Sequence, residues 1–310
     1  MTINEFKDLM HEEVGNRLGE EYIFRASDVT KNNGIVHTGI SFAKKGANVC
    51  PTVYLESFYE EMRKGKRIEC IADELADIFR ADTPSFEPDP NDFDDYSKIK
   101  DRIYCKVVNY SMNSELIKDC PCVKILDLCV LFYVLVEYSK DGSGSILIKN
   151  ELFDMWKVSK SELYDTALKN TERMFEVRLY NINEVLMELL SERYVPGSAI
   201  YESAMEDLKA SSQAPMYVLT NRDRFYGATG ILYTQKLSEF AKEMGTDLYI
   251  IPCSIHELIV VPVYDEADPS YLIDMVREVN ATEVRPSEVL SDNIYRFERN
   301  NDRLLSVCSA

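Results

Sequence analysis

The sequence predicts an α+β fold of repeated strand-strand-helix units, with mainly antiparallel sheets packed against helices. Three observations predict it. A strand, a Gly-containing turn, a second strand and an immediately following helix recur three times along the 310 residues. Short hairpin turns favour antiparallel pairing over crossover connections. The helices follow strand pairs, which favours a layered arrangement over a doubly wound sheet. Unequal spacing between the units excludes a solenoid.

The first element is an amphipathic helix. Thr2 and Glu5 have the spacing of a capping box, and Ile3, Phe6, Leu9, Met10, Val14 and Leu18 share one face. Glu12, Glu13 and Glu20 mark the other face as solvated, whereas a helix on anionic lipid would be basic there. The first unit then runs from Gly34 to Phe42, turns near Gly46, returns through Thr52–Leu55 and enters a helix at Glu56. Ile68, Ile71, Leu75, Ile78 and Phe79 mark a further helix. Residues 82–95 combine three prolines with six acidic side chains and show no period, which reads as a linker or loop.

The second unit comprises Leu128–Val136, a turn at Lys140–Gly144 whose Asp-Gly pair is a strong hairpin signal, Ile146–Ile148 and a helix from Glu151 to Trp156. Ser159 and Glu162 cap the next helix. Breaks at Tyr194–Ser198 and Ala210–Pro215 precede the third unit. That unit has a strand at Met216–Thr220, a long turn through Gly227 and Gly230, a strand at Ile231–Tyr233 and a helix from Lys236 closed by Gly245. Strands at 247–251 and 257–261 follow, then a helix begun by Asp268-Pro269, and a last hairpin over 293–297 and 304–307. The expected division is residues 1–81, the linker 82–95, a middle unit 96–210 and a C-terminal unit 211–310.

Composition narrows the function classes. At 45% hydrophobic and 11% aromatic the chain is ordinary globular material, long enough for a sizeable core. Its longest apolar run, Leu128–Val136, is about half of the roughly 20 residues that cross a bilayer, so no membrane association is expected. The N-terminus lacks the pattern of a secretory signal, and the expected compartment is the cytoplasm. Eight cysteines are scattered, and several, such as Cys129 and Cys253, sit in apolar runs as small buried hydrophobes. Cys120-Pro-Cys122 lacks two further soft ligands at short spacing, so neither metal nor cofactor is expected. A net charge of −18, from 53 acidic and 35 basic residues, opposes direct nucleic-acid binding. It suits a solubilising surface or a basic partner.

Several separated strings carry a resemblance: Met216–Asn221, Gly227-Ala228, Leu248–Pro262, Val276–Thr282, Val289–Asp292, Asp127–Tyr133 and Ser145–Leu152. Together they resemble an uncharacterised family of proteins from Clostridia and other gut Firmicutes over most of residues 1 to 300, and the middle and C-terminal blocks are similar to YtpQ-like proteins. The resemblance brings no catalytic residues. It implies a cytoplasmic bacterial protein linked to mobile elements.

Two places could carry chemistry. Ser254-Ile-His256-Glu257 puts a hydroxyl and two proton-transfer groups between two very apolar strands. In an extended segment Ser254 and His256 share a face and Glu257 points away, but no Gly-x-Ser-x-Gly turn is present to make the serine a nucleophile. The competing reading is that these groups satisfy backbone at a strand junction. The second place is the polar loop Thr220–Gly227, where Asn221, Arg222 and Arg224 could bind an anion. It fails the phosphate-loop pattern, and its Asn and Gly also suit plain turn geometry. Trp156, three residues after Phe153, reads as a packing anchor.

These observations make the leading expectation a non-enzymatic protein that binds another macromolecule, a protein partner above all. The alternative is an enzyme or small-ligand sensor with a pocket around His256, and a third reading is an acidic nucleic-acid mimic. The loop carrying Asn221 discriminates the first two: if it reaches His256 across a concave pocket, the small-ligand reading gains.

Overall fold

The computed structural model describes residues 1–46, 52–81, 92–139, 142–211, 215–264 and 269–307. The strand pairings among them are antiparallel and form three sheets, an α+β architecture.

The N-terminal unit holds α1 (Ile3–Leu18), β1 (Tyr22–Thr30), β2 (Val36–Lys44), β3 (Val53–Tyr54), α2 (Glu56–Arg63) and α3 (Ile68–Ala81). The capping box forms as the spacing predicts: Thr2 N donates to Glu5 Oε2 at 2.6 Å, and Glu5 N donates to Thr2 Oγ1 at 3.3 Å. Phe6, Met10, Val14 and Leu18 of α1 are buried with Ile71, Leu75 and Phe79 of α3 against Ile40 and Phe42 of β2. β1 is an addition to the predicted elements and pairs with the whole of β2, from Tyr22↔Lys44 to Thr30↔Val36.

The middle segment contains α4 (Tyr96–Ile99), β4 (Ile103–Asn109), α5 (Ser114–Lys118), β5 (Cys122–Ile125), β6 (Leu128–Ser139), β7 (Gly142–Leu147), α6 (Asn150–Trp156) and α7 (Lys160–Met174). β6 is central, with β4 along one edge and β5 then β7 along the other. β8 (Val177–Asn181), α8 (Ile182–Arg193), α9 (Ala199–Ser211), β9 (Tyr217–Asn221), α10 (Thr234–Met244), β10 (Leu248–Ile251), β11 (Leu258–Pro262), α11 (Ser270–Thr282), β12 (Ile294–Glu298) and β13 (Arg303–Val307) complete the chain. Their strands form one sheet in the order β13-β12-β10-β11-β9-β8. Its edge strand β8 lies before residue 211, and one core joins this sheet to the middle one: Val107, Val130 and Phe132 pack in the same cluster as Leu219, Ile250, Leu258 and Phe297.

Three local expectations need correction. Ile231–Tyr233 is not a strand: Gly227–Leu232 forms a 3-10 helix whose residues 227–231 are buried. A Cβ at Gly230 would stand 2.8 Å from Leu219 Cγ, so this segment is pressed against β9 and cannot extend beside it. The segment from Ser254 to Glu257 is a bend with a single bridge, Ser254 to Val289, in place of extended chain. Pro269 stands at the N-cap of α11 and not inside its first turn, while Asp268 lies outside the described residues. Of the linker expected over 82–95, residues 82–91 also lie outside them, as do Lys140 and Asp141 of the second hairpin turn. Trp156 is buried, and its Nε1 donates to Phe93 O at 2.6 Å. Among the described residues no helix is long and apolar enough to cross a membrane.

Candidate functional site

The turn between β1 and β2 brings the N-terminal unit onto the rest of the molecule. Asn33 adopts a left-handed conformation, φ 61°, which Asn tolerates better than most residues. This frees its side chain to donate to Pro286 O at 2.9 Å and Val289 O at 2.7 Å, while its amide nitrogen donates to Asn113 Oδ1 at 2.8 Å. Asn32 Nδ2 donates to Ser287 O at 2.9 Å. Beside this contact a cleft of about 500 Å³ opens between the two bodies.

Its two walls resemble one another. On the N-terminal side Lys31 Nζ lies 4.7 Å from the centre of the Tyr54 ring, and that ring is 5.2 Å from His37. On the opposite side Lys106 Nζ lies 5.2 Å from the Tyr226 ring, which stacks nearly parallel on His256 at 5.7 Å. Each wall thus carries a lysine over a tyrosine face beside a histidine, an arrangement in which the ring quadrupole favours the cation. Arg285 and Glu288 stand at the rim and pair at 3.5 Å, with the arginine side chain 81% exposed.

Lys106 is the unusual group. β4 alternates, so Cys105 and Val107 enter the core while Lys106 emerges on the other face between Tyr104 and Val108, opposite Leu131 of β6. Burial first, and the like charge of Lys31 second, lower its pKa to about 8. The other groups acting on its charge are the Cys120 and Cys129 thiols, and among the described residues no carboxylate compensates it. Burial also raises the Tyr226 phenol above its ordinary value.

Two buried acceptors in the same lining, Asn32 Oδ1 and Glu56 Oε2, have no hydrogen-bond partner. Glu56 Oε1 accepts from Thr38 N at 2.7 Å, but Oε2 faces only His37 Nδ1 at 3.5 Å, an ion-pair distance without hydrogen-bond geometry. The third such atom, Tyr133 Oη, belongs to a ring packed edge-on against Tyr226. Buried orphans of this kind are rare, and two of the three among the described residues fall in this cleft.

His256 is the residue of the predicted sites that lines the cleft. The loop carrying Asn221 does reach it: Tyr226 N donates to His256 Nδ1 at 3.3 Å, so the proton of the neutral imidazole sits on Nε2. Tyr226 and Arg224 both have left-handed backbones, φ 50° and 51°. Gly227 follows because a Cβ there would collide with Thr220 Oγ1 and the His256 carbonyl. Asn221 itself shapes the loop and stays out of the cleft, its side chain bonding Phe225 O at 2.8 Å and Phe225 N at 3.1 Å. Arg224 pairs with Glu188 at 3.1 Å, and neither it nor Arg222 lines the cleft. Ser254 Oγ accepts from the His256 backbone amide at 3.1 Å, which shapes the bend and does not engage the imidazole ring. Glu257 is partly buried beyond the lining, its carbonyl accepting from Ser254 N at 3.3 Å.

Sequence reasoning missed Lys31, His37, Tyr54, Glu56, Lys106 and Tyr226. The available signal was Lys106, a charge inside the apolar strand Ile103–Asn109.

Fold and cleft together define an antiparallel α+β protein with a polar pocket at the junction of its N-terminal unit and its shared core. The chain belongs to a family of unknown function, DUF5688, whose model matches residues 3–299. No curated protein and no solved structure matches it.

Proposed function

We propose that the protein binds a small polar ligand in this cleft, one that carries an anionic group and hydrogen-bond donors. One observation carries the reading: an amine that has no carboxylate partner among the described residues and two orphaned buried acceptors converge in one opening. A partly buried cation and a buried acceptor each cost free energy until a partner reaches them. A ligand anion supplies the partner for Lys106 and Lys31, its N–H or O–H groups supply those for Asn32 and Glu56, and a flat portion fits between the tyrosine faces. Ligand binding in a junction cleft with few convergent polar groups is a common arrangement. This is the small-ligand reading centred on His256.

The test is a thermal-shift panel of inorganic phosphate, citrate, glutamate and small 2-oxo acids on the full chain, repeated with His256→Ala and Lys106→Met. A true ligand at about 100 times its dissociation constant adds about 2.7 kcal/mol of stability. That gain should disappear in Lys106→Met. If no compound in the panel stabilises the protein, or the gain survives in both variants, the cleft is not the binding site.

A second reading, attachment to another macromolecule, is favoured by the hairpin of α8 and α9. Leu186, Leu189, Val195 and Ile200 are exposed there, Val195 at 76%. Leu189→Glu together with Ile200→Glu should abolish capture of a stoichiometric protein partner; capture that is unchanged removes this reading.

A further inference from the structure

We infer that Lys106 is a carbonyl-reactive amine: the cleft takes a small carboxylate that carries an aldehyde or ketone, and Lys106 Nζ condenses with that carbonyl to form an imine. The inference rests on the proposed ligand cleft and adds to it a substrate class and a covalent step.

Position supports it first. Lys106 rises from the middle of β4 on an apolar floor, between Tyr104 and Val108 and across from Leu131, and opens into the cleft. Several other lysines are paired with carboxylates, as Lys7 is with Asp28 at 3.0 Å and Lys118 with Glu115 at 2.6 Å. Lys106 faces a second cation and a ring instead. Desolvation and a neighbouring cation are the two devices that make a lysine nucleophilic.

The magnitude follows. With its pKa lowered to about 8, about a tenth of Lys106 is uncharged at pH 7, against about three parts in ten thousand for an ordinary lysine. The neutral fraction therefore rises about 300-fold. Lower basicity takes back about 20-fold if the Brønsted slope is about 0.5, as for thiolates, leaving a net gain of about tenfold.

The step needs no co-reactant. The Nζ lone pair adds to the carbonyl carbon as the carbon–oxygen π pair moves to oxygen; oxygen gains a proton and nitrogen loses one. The hydroxyl of this carbinolamine is protonated and leaves as water while the nitrogen lone pair forms the carbon–nitrogen double bond. One amine and one carbonyl give one imine and one water, with no change of oxidation state. His256, whose Nε2 carries the proton when Nδ1 accepts from Tyr226 N, is the proton donor on that wall. His37, with Glu56 Oε2 3.5 Å from its Nδ1, stands on the other. Lys31 and Arg285 supply charge for the carboxylate.

The experiment incubates the full-length protein with pyruvate or glyoxylate, reduces with borohydride, and reads intact mass followed by peptide mapping. The expected adduct has the mass of the probe less one oxygen, lies on Lys106, and forms about tenfold faster than on any surface lysine. Lactate, which keeps the carboxylate but replaces the carbonyl by a hydroxyl, should slow it by competition. Lys106→Met and Lys106→Arg should both lack the adduct, and Met also removes the buried charge, so it keeps the comparison in a folded protein. Adducts spread evenly over surface lysines, with lactate still stabilising the protein through Lys106, overturn the imine and leave the anion cleft standing. No adduct on Lys106 and no Lys106-dependent stabilisation by pyruvate or lactate overturn both.

Discussion

Replacing Lys106 by Met should make the protein more stable, by an amount that depends on pH in a fixed direction. The folded-state pKa is about 8, below the ordinary 10.5. Below pH 8 the amine is charged in both folded and unfolded chains, and the folded state bears the full cost of enclosing it. Between 8 and 10.5 the unfolded chain holds more protons than the folded one, so stability rises with pH through that window. A shift of this size is worth about 3 kcal/mol at pH 7 and falls below about 1 kcal/mol near pH 10. Lys106→Met removes the charge and keeps most of the length of the side chain, so at pH 7 it should gain up to about 3 kcal/mol, or about 5 °C in melting temperature. The assay is urea denaturation of both proteins at about pH 7 and about pH 10, followed by fluorescence of Trp156, the single tryptophan. A variant that is less stable than the parent at both pH values would falsify the reasoning, as would a gain that grows with pH. A residue that costs stability and is kept without a partner is what a binding site looks like before its ligand arrives.

Three further outcomes follow from the structure. Gly227→Ala should destabilise the protein by about 2 kcal/mol, because the new methyl meets Thr220 Oγ1 and the His256 carbonyl, and it should weaken ligand binding by moving Tyr226; unchanged urea midpoints would contradict this. Asp127→Ala should cost about 3 kcal/mol, since it strands Ser291 Oγ at 2.6 Å, Asn293 Nδ2 at 2.8 Å and Tyr295 Oη at 2.6 Å, which calorimetry would detect as a lower melting temperature. Burial pushes the Cys105 and Cys129 thiols up to about 12. Iodoacetamide at about pH 8 should therefore leave both unmodified in native protein and label both in urea, as peptide mapping would show.

Much of the fold was legible because its determinants are local. Thr2 and Glu5 announce α1 through a reciprocal cap, Ser159 announces α7 by accepting from Glu162 N, and Gly245 closes α10 in a left-handed conformation. The strand expected at Ile231–Tyr233 failed because apolar composition cannot tell a buried strand from a buried 3-10 turn; what decides it is the approach of Gly227 and Gly230 to β9, a tertiary fact. β1 was hidden for a related reason: its partner β2 stands beside it only after a turn whose shape depends on Asn33 being left-handed. His256 was legible as a polar group between two apolar strands. Its partners were not, since Lys31, His37, Tyr54 and Glu56 lie two hundred residues away in sequence and meet it through the docking of one turn. Asn221 and Ser254 drew notice for their chemistry, but each spends its side chain on the local loop.

The two walls of the cleft belong to different cores. His37, Tyr54 and Glu56 hang from strands and a helix that pack around Phe6, Leu75 and Phe79, whereas Lys106 and His256 hang from the core shared by the other two sheets. Polar contacts from Asn32 and Asn33 hold the tip of the N-terminal hairpin against the second body. Hydrogen bonds of this kind contribute about 1 kcal/mol each in net terms, far less than either core. The relative placement of the walls is therefore the cheapest feature of the site to disturb. A ligand that reaches Glu56 on one side and Lys106 on the other would add its own contacts to those of Asn32 and Asn33. Part of its intrinsic binding energy would go into fixing the two bodies, and a variant that loosens the turn would weaken binding without touching a ligand-contacting group.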